Sequence, residues 1–147
     1  MKIIKCGLEH LQSAAELFDN YRIFYEQASD PEGARAFIQA NIEHDRSQIF
    51  LLLDDSGRAV AFSQLYPSYC SIAMKPFYYL SDLYVDKSAR RHGYAKKLME
   101  YLILYFGERA IQRLTLETAT TNHAAQRLYE SLGYEKEQVF ITYHKIL

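Results

Sequence analysis

The stretch Tyr79-Leu80-Ser81-Asp82-Leu83-Tyr84-Val85 runs, past Asp86–Ser88, into Arg90-Arg91-His92-Gly93-Tyr94-Ala95. The first part is a β-rich run. From Tyr94 to Phe106, Ala95, Leu98, Met99, Leu102 and Phe106 recur on one stripe, the pattern of an amphipathic helix. Arg113–Thr118 then reads as a strand, so residues 78–118 predict a right-handed parallel strand–helix–strand crossover. The junction carries chemistry as well as topology. A helix N-terminus presents unpaired N–H groups and a positive dipole end, which suits a phosphate. Gly93 has no Cβ to hold the backbone away, Ala95 keeps the next turn small, and Arg90 or Arg91 adds charge. The segment is neither a Gly-Lys-Ser/Thr loop nor a GxGxxG turn, which argues against nucleotide hydrolysis and hydride transfer. An ordinary strand–turn–helix with solvated arginines is the alternative reading of the same residues.

Working outward, residues 2–6 read as a short strand. Leu11, Ala14, Leu17/Phe18, Tyr21 and Phe24/Tyr25 mark a helix from Leu8 to about Glu26. Asp30 as N-cap and Pro31 at the first helical position start a second helix, continued by Ala34, Phe37, Ile38, Asn41 and Ile42. Gln48–Leu53 and Arg58–Tyr66 form a hairpin about Asp54-Asp55-Ser56-Gly57. Lys75-Pro76 is read as a break before the strand Tyr78–Val85. Asn122–Leu132 is a helix stopped by Gly133, and Val139–Ile146 closes with a strand. The order β-α-α-β-β-β-α-β-α-β predicts an α/β (mixed α+β) fold, a mixed sheet with helices on both faces, in one domain spanning 1–147.

Composition narrows the function. The 17 basic and 18 acidic side chains give a formal net charge of -1, which disfavours nucleic acid as a partner. Two cysteines, Cys6 and Cys70, make no disulfide framework, and five scattered histidines offer no metal-ligand spacing, so no metal is expected. No apolar run approaches the roughly 18 residues that span a bilayer, and the N-terminus turns polar too quickly for a signal peptide. A cytoplasmic chain without a membrane partner is expected. Thirteen Tyr and eight Phe either fill an aromatic core or place some hydroxyls at a site. The group Tyr66, Tyr69, Phe77, Tyr78 and Tyr79 would wall a pocket, pack a dimer or fill the core.

Arg90-x-x-Gly93-x-Ala95 after a β-rich strand resembles the Q/R-x-x-G-x-G/A signature of the GNAT superfamily of N-acetyltransferases. Asn122-x-x-Ala125-x-x-Leu128-Tyr129-x-x-x-Gly133-Tyr134 is similar to that family's N-x-x-A-x-x-L-Y-x-x-x-G-F, with Tyr134 for the commoner Phe. The two blocks stand in register, and the element order agrees across nearly the whole chain, weakly before residue 48. The resemblance implies a twisted mixed sheet of about six or seven strands, splayed open between the strands ending near Val85 and Thr118. It implies acetyl-CoA as co-substrate, with pantetheine along main-chain groups of Leu83, Tyr84 and Val85. The pyrophosphate would lie on Arg90, Arg91, His92, Gly93, Tyr94, Ala95 and Lys96. Asn122 would sit beside the pantetheine, or act simply as an N-cap.

Attack of a neutral amine on a thioester needs a proton acceptor, an oxyanion donor and a proton for the departing thiolate. The motif assigns the last role to Tyr129, whose phenol, with a pKa of about 10, can donate to a thiolate of conjugate-acid pKa about 8.5. Its helical spacing also fits a core aromatic. The oxyanion donor is expected to be a main-chain N–H near Leu83. The string 79–85 resembles the YLEDLYV-type segment of diamine and thialysine acetyltransferases, whose Glu, the proposed base, is replaced here by Ser81. Ser81 can hold a water but is not itself a base at neutral pH. Because strand neighbours point to opposite faces, Asp82 does not simply replace that Glu. Asp82 is read as binding the acceptor amine or removing its proton through water, or else as a strand-end carboxylate satisfied locally. Tyr25, Glu26 and the Ala28–Asp30 turn are acceptor-pocket candidates, with a solvated helix end as the alternative for Glu26. The acceptor is expected to be a small primary amine. A protein Lys or N-terminus and a non-catalytic acyl-CoA-binding module are the competing readings, and a homodimer is compatible with the family.

Overall fold

A computed structural model describes all residues, Met1–Leu147. The chain divides into two compact units, Met1–Glu117 and Thr118–Leu147, each described by itself. In the first unit the elements are β1 (Lys2–Lys5), α1 (Leu11–Phe24), α2 (Pro31–Glu43), β2 (Gln48–Leu53), β3 (Ala59–Cys70), β4 (Lys75–Val85), α3 (Tyr94–Gly107) and β5 (Leu114–Leu116). The second unit holds α4 (His123–Ser131). The strands lie in sequential order β1-β2-β3-β4-β5, antiparallel except for the parallel β4–β5 pair across α3. No helix is long and apolar enough to cross a membrane.

Both faces of the sheet are covered, as the alternation in β2 requires. Ile49 and Leu51 pack with Phe62, Leu17, Phe18 and Ile38 under α1 and α2. Phe50 and Leu52 pack with Ala61, Leu98, Leu102 and Phe106 under α3. A strand buried on both faces reads as a continuous apolar run, and Ile49-Phe50-Leu51-Leu52 is one. On α3 the stripe Leu98, Met99, Leu102 and Phe106 is buried while Leu104 is exposed.

Three expectations change. Pro76 does not break the chain but lies within β4, opposite Tyr69. Its carbonyl accepts from Gln112 N at 2.9 Å, so its nitrogen side points away from β3 and no ladder bond is lost. Likewise β3 continues through Pro67 to Cys70, because its pairing with β2 stops at Leu65 and the missing N–H falls on an unpaired edge. Third, the sheet of the first unit has five strands rather than six or seven, and Val139–Ile146 forms no strand within the second unit. A strand exists only where its main-chain groups meet a neighbour.

Asp19, a buried carboxylate on α1, fixes the turn into α2. Asp30 N donates to its Oδ1 at 2.8 Å, Ser29 Oγ donates to its Oδ2 at 2.7 Å, and Arg22 lies 3.7 Å away. Asp30 in turn caps α2 by accepting from Gly33 N at 3.0 Å. The Asp30 N–H, followed by the Ser29 hydroxyl and the Arg22 charge, outweighs burial and holds the Asp19 carboxyl below its usual value. A depressed folded-state pKa adds stability above the unfolded value and loses it as pH falls through the folded one. Asp19→Ala should therefore cost roughly 1–3 kcal/mol at pH 7 in urea unfolding. The gap to the wild type should narrow as pH falls below about 4; a pH-independent gap would mean that the carboxylate charge contributes nothing.

Candidate active site

The site is organised by a slip in register between β3 and β4. Gln64 faces Asp82 and Leu65 faces Leu80, so Ser81 is an extra residue in β4. A bulge of this kind reverses the alternation beyond it. Leu80 accordingly joins the core under α3, whereas Asp82, only two residues on, shares the α1/α2 side with Phe62, Gln64 and Tyr84. The bulge also corrects the simple alternation expected of Ser81 and Asp82. Their side chains meet, with Ser81 Oγ donating to Asp82 Oδ1 at 3.0 Å.

A buried polar chain holds Asp82 from behind. Asn41 Nδ2 and Ser47 Oγ both donate to Gln64 Oε1 at 2.8 Å. That fixes the Gln64 amide so that Nε2 donates to Asp82 Oδ2 at 2.5 Å. The second Asn41 proton reaches Tyr66 Oη at 3.2 Å. Gln64 is wholly buried, and Asn41 and Asp82 are nearly so. Burial raises the Asp82 pKa, and hydrogen bonds from Gln64, Ser81 and Tyr21 only partly offset it. Tyr21 is raised too, by burial and then by the Asp82 charge. A desolvated carboxylate with its pKa moved toward neutrality is suited to accept a proton.

The same bulge marks where β5 leaves β4. The last pair is Leu80 with Leu116, so Ser81–Val85 continues for five residues without β5 alongside. Leu83 and Tyr84 lie on this opened stretch as expected. The Val85 carbonyl is already occupied by Arg90 Nε at 3.1 Å. Beyond it Arg91 has φ 66° and Gly93, the N-cap of α3, has φ 73°. The first intrahelical donor of α3 is Lys97, at 3.1 Å from Gly93 O, and no side chain caps the end. The N–H groups at the start of the helix are thus left for an external partner. A Cβ on Gly93 would meet nothing within 4 Å, so glycine is required there by backbone conformation.

Other predicted residues are placed as follows. Arg90 stacks its guanidinium 5.1 Å from the Phe24 ring centre and 5.7 Å from that of Tyr84, tying the end of α1 to the loop. His92 turns its Nδ1 to the carbonyls of Ala89 and Arg90, at 3.1 and 2.9 Å, and stacks on Tyr94. Arg91 and Lys96 are exposed and Ala95 is half-buried. Tyr25 and Glu26 are exposed at the end of α1, and the Tyr25 ring packs 5.0 Å from that of Tyr21. The aromatic group 66–79 separates: Tyr78 packs on Phe106 and accepts from Gln48, Tyr66 joins the polar chain, and Tyr69 is exposed. Gln64, Ser47 and Tyr21 escaped the sequence reading as site residues. A Gln inside the apolar run Ala59–Leu65 was the available signal, as was Asn41 on the apolar stripe of its helix.

In the C-terminal unit Asn122 caps α4, accepting from Ala125 N at 3.1 Å. Gly133, φ 89°, ends the helix in a two-bond reversal: Tyr134 N donates to Tyr129 O and Gly133 N to Glu130 O, at 3.0 and 3.1 Å. Tyr129 lies within α4, its ring 6.1 Å from that of Tyr134. Burial pushes the Tyr134 phenol up to about 12.

Comparison with known proteins places this geometry. Residues 14–134 match the model of the acetyltransferase (GNAT) family. The chain is similar to an uncharacterized N-acetyltransferase, YhfO, of Bacillus subtilis (strain 168), 38% identical over 97% of this chain and 95% of that protein. It is similar to an aminoglycoside N(6')-acetyltransferase type 1 of Serratia marcescens, 24% identical over 82% of this chain and 84% of that one. A crystal structure described as a probable acetyltransferase superposes with a TM-score of 0.94 at 36% identity, over 100% of this chain and 98% of the other. An open β4 edge leading into an uncapped helix, together with these matches, identifies the chain as an N-acetyltransferase of the GNAT family, a family that uses acetyl-CoA.

Proposed function

We propose that the chain transfers an acetyl group from acetyl-CoA to a small primary amine, with Asp82 on the proton-accepting side and Tyr129 as general acid. One observation carries the reading: past Leu80 the β5 side of β4 is left without a partner, and the strand leads through the loop 86–93 to the uncapped N-terminus of α3. The main-chain groups of Leu83 and Tyr84 would take the pantetheine amides. The N–H groups from Gly93 to Lys96, with Arg91 nearby, would take the pyrophosphate. Asn122 would flank the pantetheine while keeping its capping bond. Arg90 and His92 would border the same pyrophosphate while their side chains hold the loop.

An amine that docks as the cation first gives one proton to Asp82, directly or through a water held by Ser81. The neutral nitrogen then attacks the acetyl carbonyl carbon, the carbon–sulfur bond breaks, the nitrogen releases its second proton to solvent, and Tyr129 supplies one to the departing thiolate. A buried Asp82 favours a cationic amine, whose charge offsets the carboxylate as it docks, and Tyr25 and Glu26 would border the approach. The role of Tyr129 rests on the motif in which it stands. A small acceptor is supported by the likeness to the aminoglycoside acetyltransferase. Release of free CoA with a panel of diamines, aminoglycosides and peptides tests the class: turnover confined to peptides would overturn it.

Two variants test the roles. Tyr129→Phe should lower kcat by about 10²-fold while leaving the Kd for acetyl-CoA nearly unchanged; an unaltered kcat would remove Tyr129 from the chemistry. Because burial raises Asp82, kcat/KM should rise with pH through an acid limb above the ordinary carboxylate range. Asp82→Asn should lower kcat/KM by about 10²-fold and move that limb, and an unshifted profile would exclude Asp82 as the base. The same substitution should leave stability at neutral pH equal or higher. A raised folded pKa means that ionisation of Asp82 costs stability above the unfolded value.

A further inference from the structure

Asp82 is a buried carboxylate without a cation. It takes part in no salt bridge, and each group bonded to it is neutral. Its ionised form therefore depends on its hydrogen-bond donors. Two of them belong to the sheet. Gln64 Nε2 of β3 donates to Oδ2 at 2.5 Å, with its other end locked by Asn41 and Ser47. Ser81 Oγ, on the bulge, donates to Oδ1 at 3.0 Å. The third comes from a helix. The Tyr21 hydroxyl, near the end of α1, bonds to the Asp82 carboxylate and lies 3.5 Å from the Ser81 carbonyl oxygen.

Packing alone does not call for that hydroxyl. The Tyr21 ring is set among Tyr25, Phe62, Tyr84 and Phe18, at 5.0, 5.8, 6.2 and 6.3 Å between ring centres. A Phe would make the same ring contacts, so the oxygen is accounted for only by what it bonds. The rings fix the direction in which it points, and the residue is half-buried, so the bond is partly shielded from water. The other phenols that face Asp82 have other ties. Tyr66 of β3 accepts from Asn41 Nδ2 at 3.2 Å, and Tyr79 of β4 responds to Glu117 more than to Asp82. The ionisable groups facing Asp82 are thus Tyr21 from α1, Tyr66 from β3 and Tyr79 from its own strand, and α2 contributes only the neutral Asn41.

We propose that Tyr21 is a positioning residue for Asp82: its hydroxyl, carried in by α1, holds the carboxylate ionised and fixes it against the Ser81 bulge. Its part in catalysis rests on the reading above, that Asp82 takes the amine proton, whereas the bond itself does not. A hydrogen bond to the ionised form favours that form, so loss of the hydroxyl lets burial raise the Asp82 pKa further.

Carbon-13 NMR of the substrate-free chain reads the Asp82 carboxyl directly. Tyr21→Phe, which keeps the ring, should move the Asp82 midpoint up by about one pH unit. Tyr66→Phe should move it less. In the wild type the Tyr21 Cζ resonance should shift with the same midpoint as the Asp82 carboxyl. In kinetics the acid limb of kcat/KM should rise in Tyr21→Phe by as much as the carboxyl midpoint does. A midpoint unmoved by Tyr21→Phe would overturn the inference, as would an equal move in Tyr66→Phe, which would make general burial the cause. A wild-type Tyr21 resonance indifferent to Asp82 would overturn it too, and that reading needs no variant to fold. So would an acid limb that moves in Asp82→Asn but stays in Tyr21→Phe. The substrate-free titrations decide whether Tyr21 holds Asp82, while a limb unshifted in Asp82→Asn would remove only the catalytic reading of that carboxylate.

Discussion

Much of this molecule depends on one extra residue in β4. Opposite Gln64 and Leu65 the ladder slips at Ser81. That slip places Leu80 in one core and Asp82 on the other side of the sheet, although two intervening bonds would ordinarily return a side chain to the same face. It also coincides with the last pair between β4 and β5, beyond which β4 runs on beside β3 only. A bulge sharpens local twist and bends the strand, which gives a physical reason for the two strands to part at this point. Position of the carboxylate and opening of the sheet thus share a cause.

A buried carboxylate is costly unless its oxygens find donors. Here the donors come from three elements: Asn41 of α2 and Ser47 before β2 orient Gln64 of β3, which donates to Asp82. The network leaves the Asp82 pKa raised, since burial outweighs the hydrogen bonds. Asp19, eleven residues before the cap of α2, is the contrasting case. A main-chain N–H and a hydroxyl from the next turn hold it low, and it serves the helix connection. Two aspartates on the α1/α2 side of one sheet are thus pushed in opposite directions, Asp82 up by burial and Asp19 down by its hydrogen bonds.

The loop after β4 concentrates unusual backbone. Arg91, at φ 66°, is one of four non-glycine residues with positive φ, and Gly93 follows two residues later. For an L-residue this region costs roughly 1–2 kcal/mol, so a sequence tolerates it where the turn must be tight. The Arg90 side chain steadies the turn by bonding Val85 O and stacking on Phe24, which leaves the helix end free of side-chain caps. The guanidinium that the motif would set beside the pyrophosphate is, in this structure, bonded to the turn itself.

Local pattern alone determined the helices and most strands, since each follows from short-range periodicity and end signals. Leu98, Met99, Leu102 and Phe106 fixed α3, Asp30-Pro31 fixed the start of α2, and Asn122 and Gly133 bounded α4. The motif residues fixed the family for the same reason, because the phosphate turn and the helix-stop are contiguous in the chain. Tertiary structure alone decided the rest. Pro76 read as a break and Pro67 fell just past the strand expected to end at Tyr66, yet both lie in strands because their missing N–H groups face away from the paired strand. Gln64 and Asp82 lie eighteen residues apart, and only the register across two strands brings them together. Val139–Ile146 has the composition of a strand but makes none within its own unit, because a strand is a relation between two segments and composition supplies only one of them.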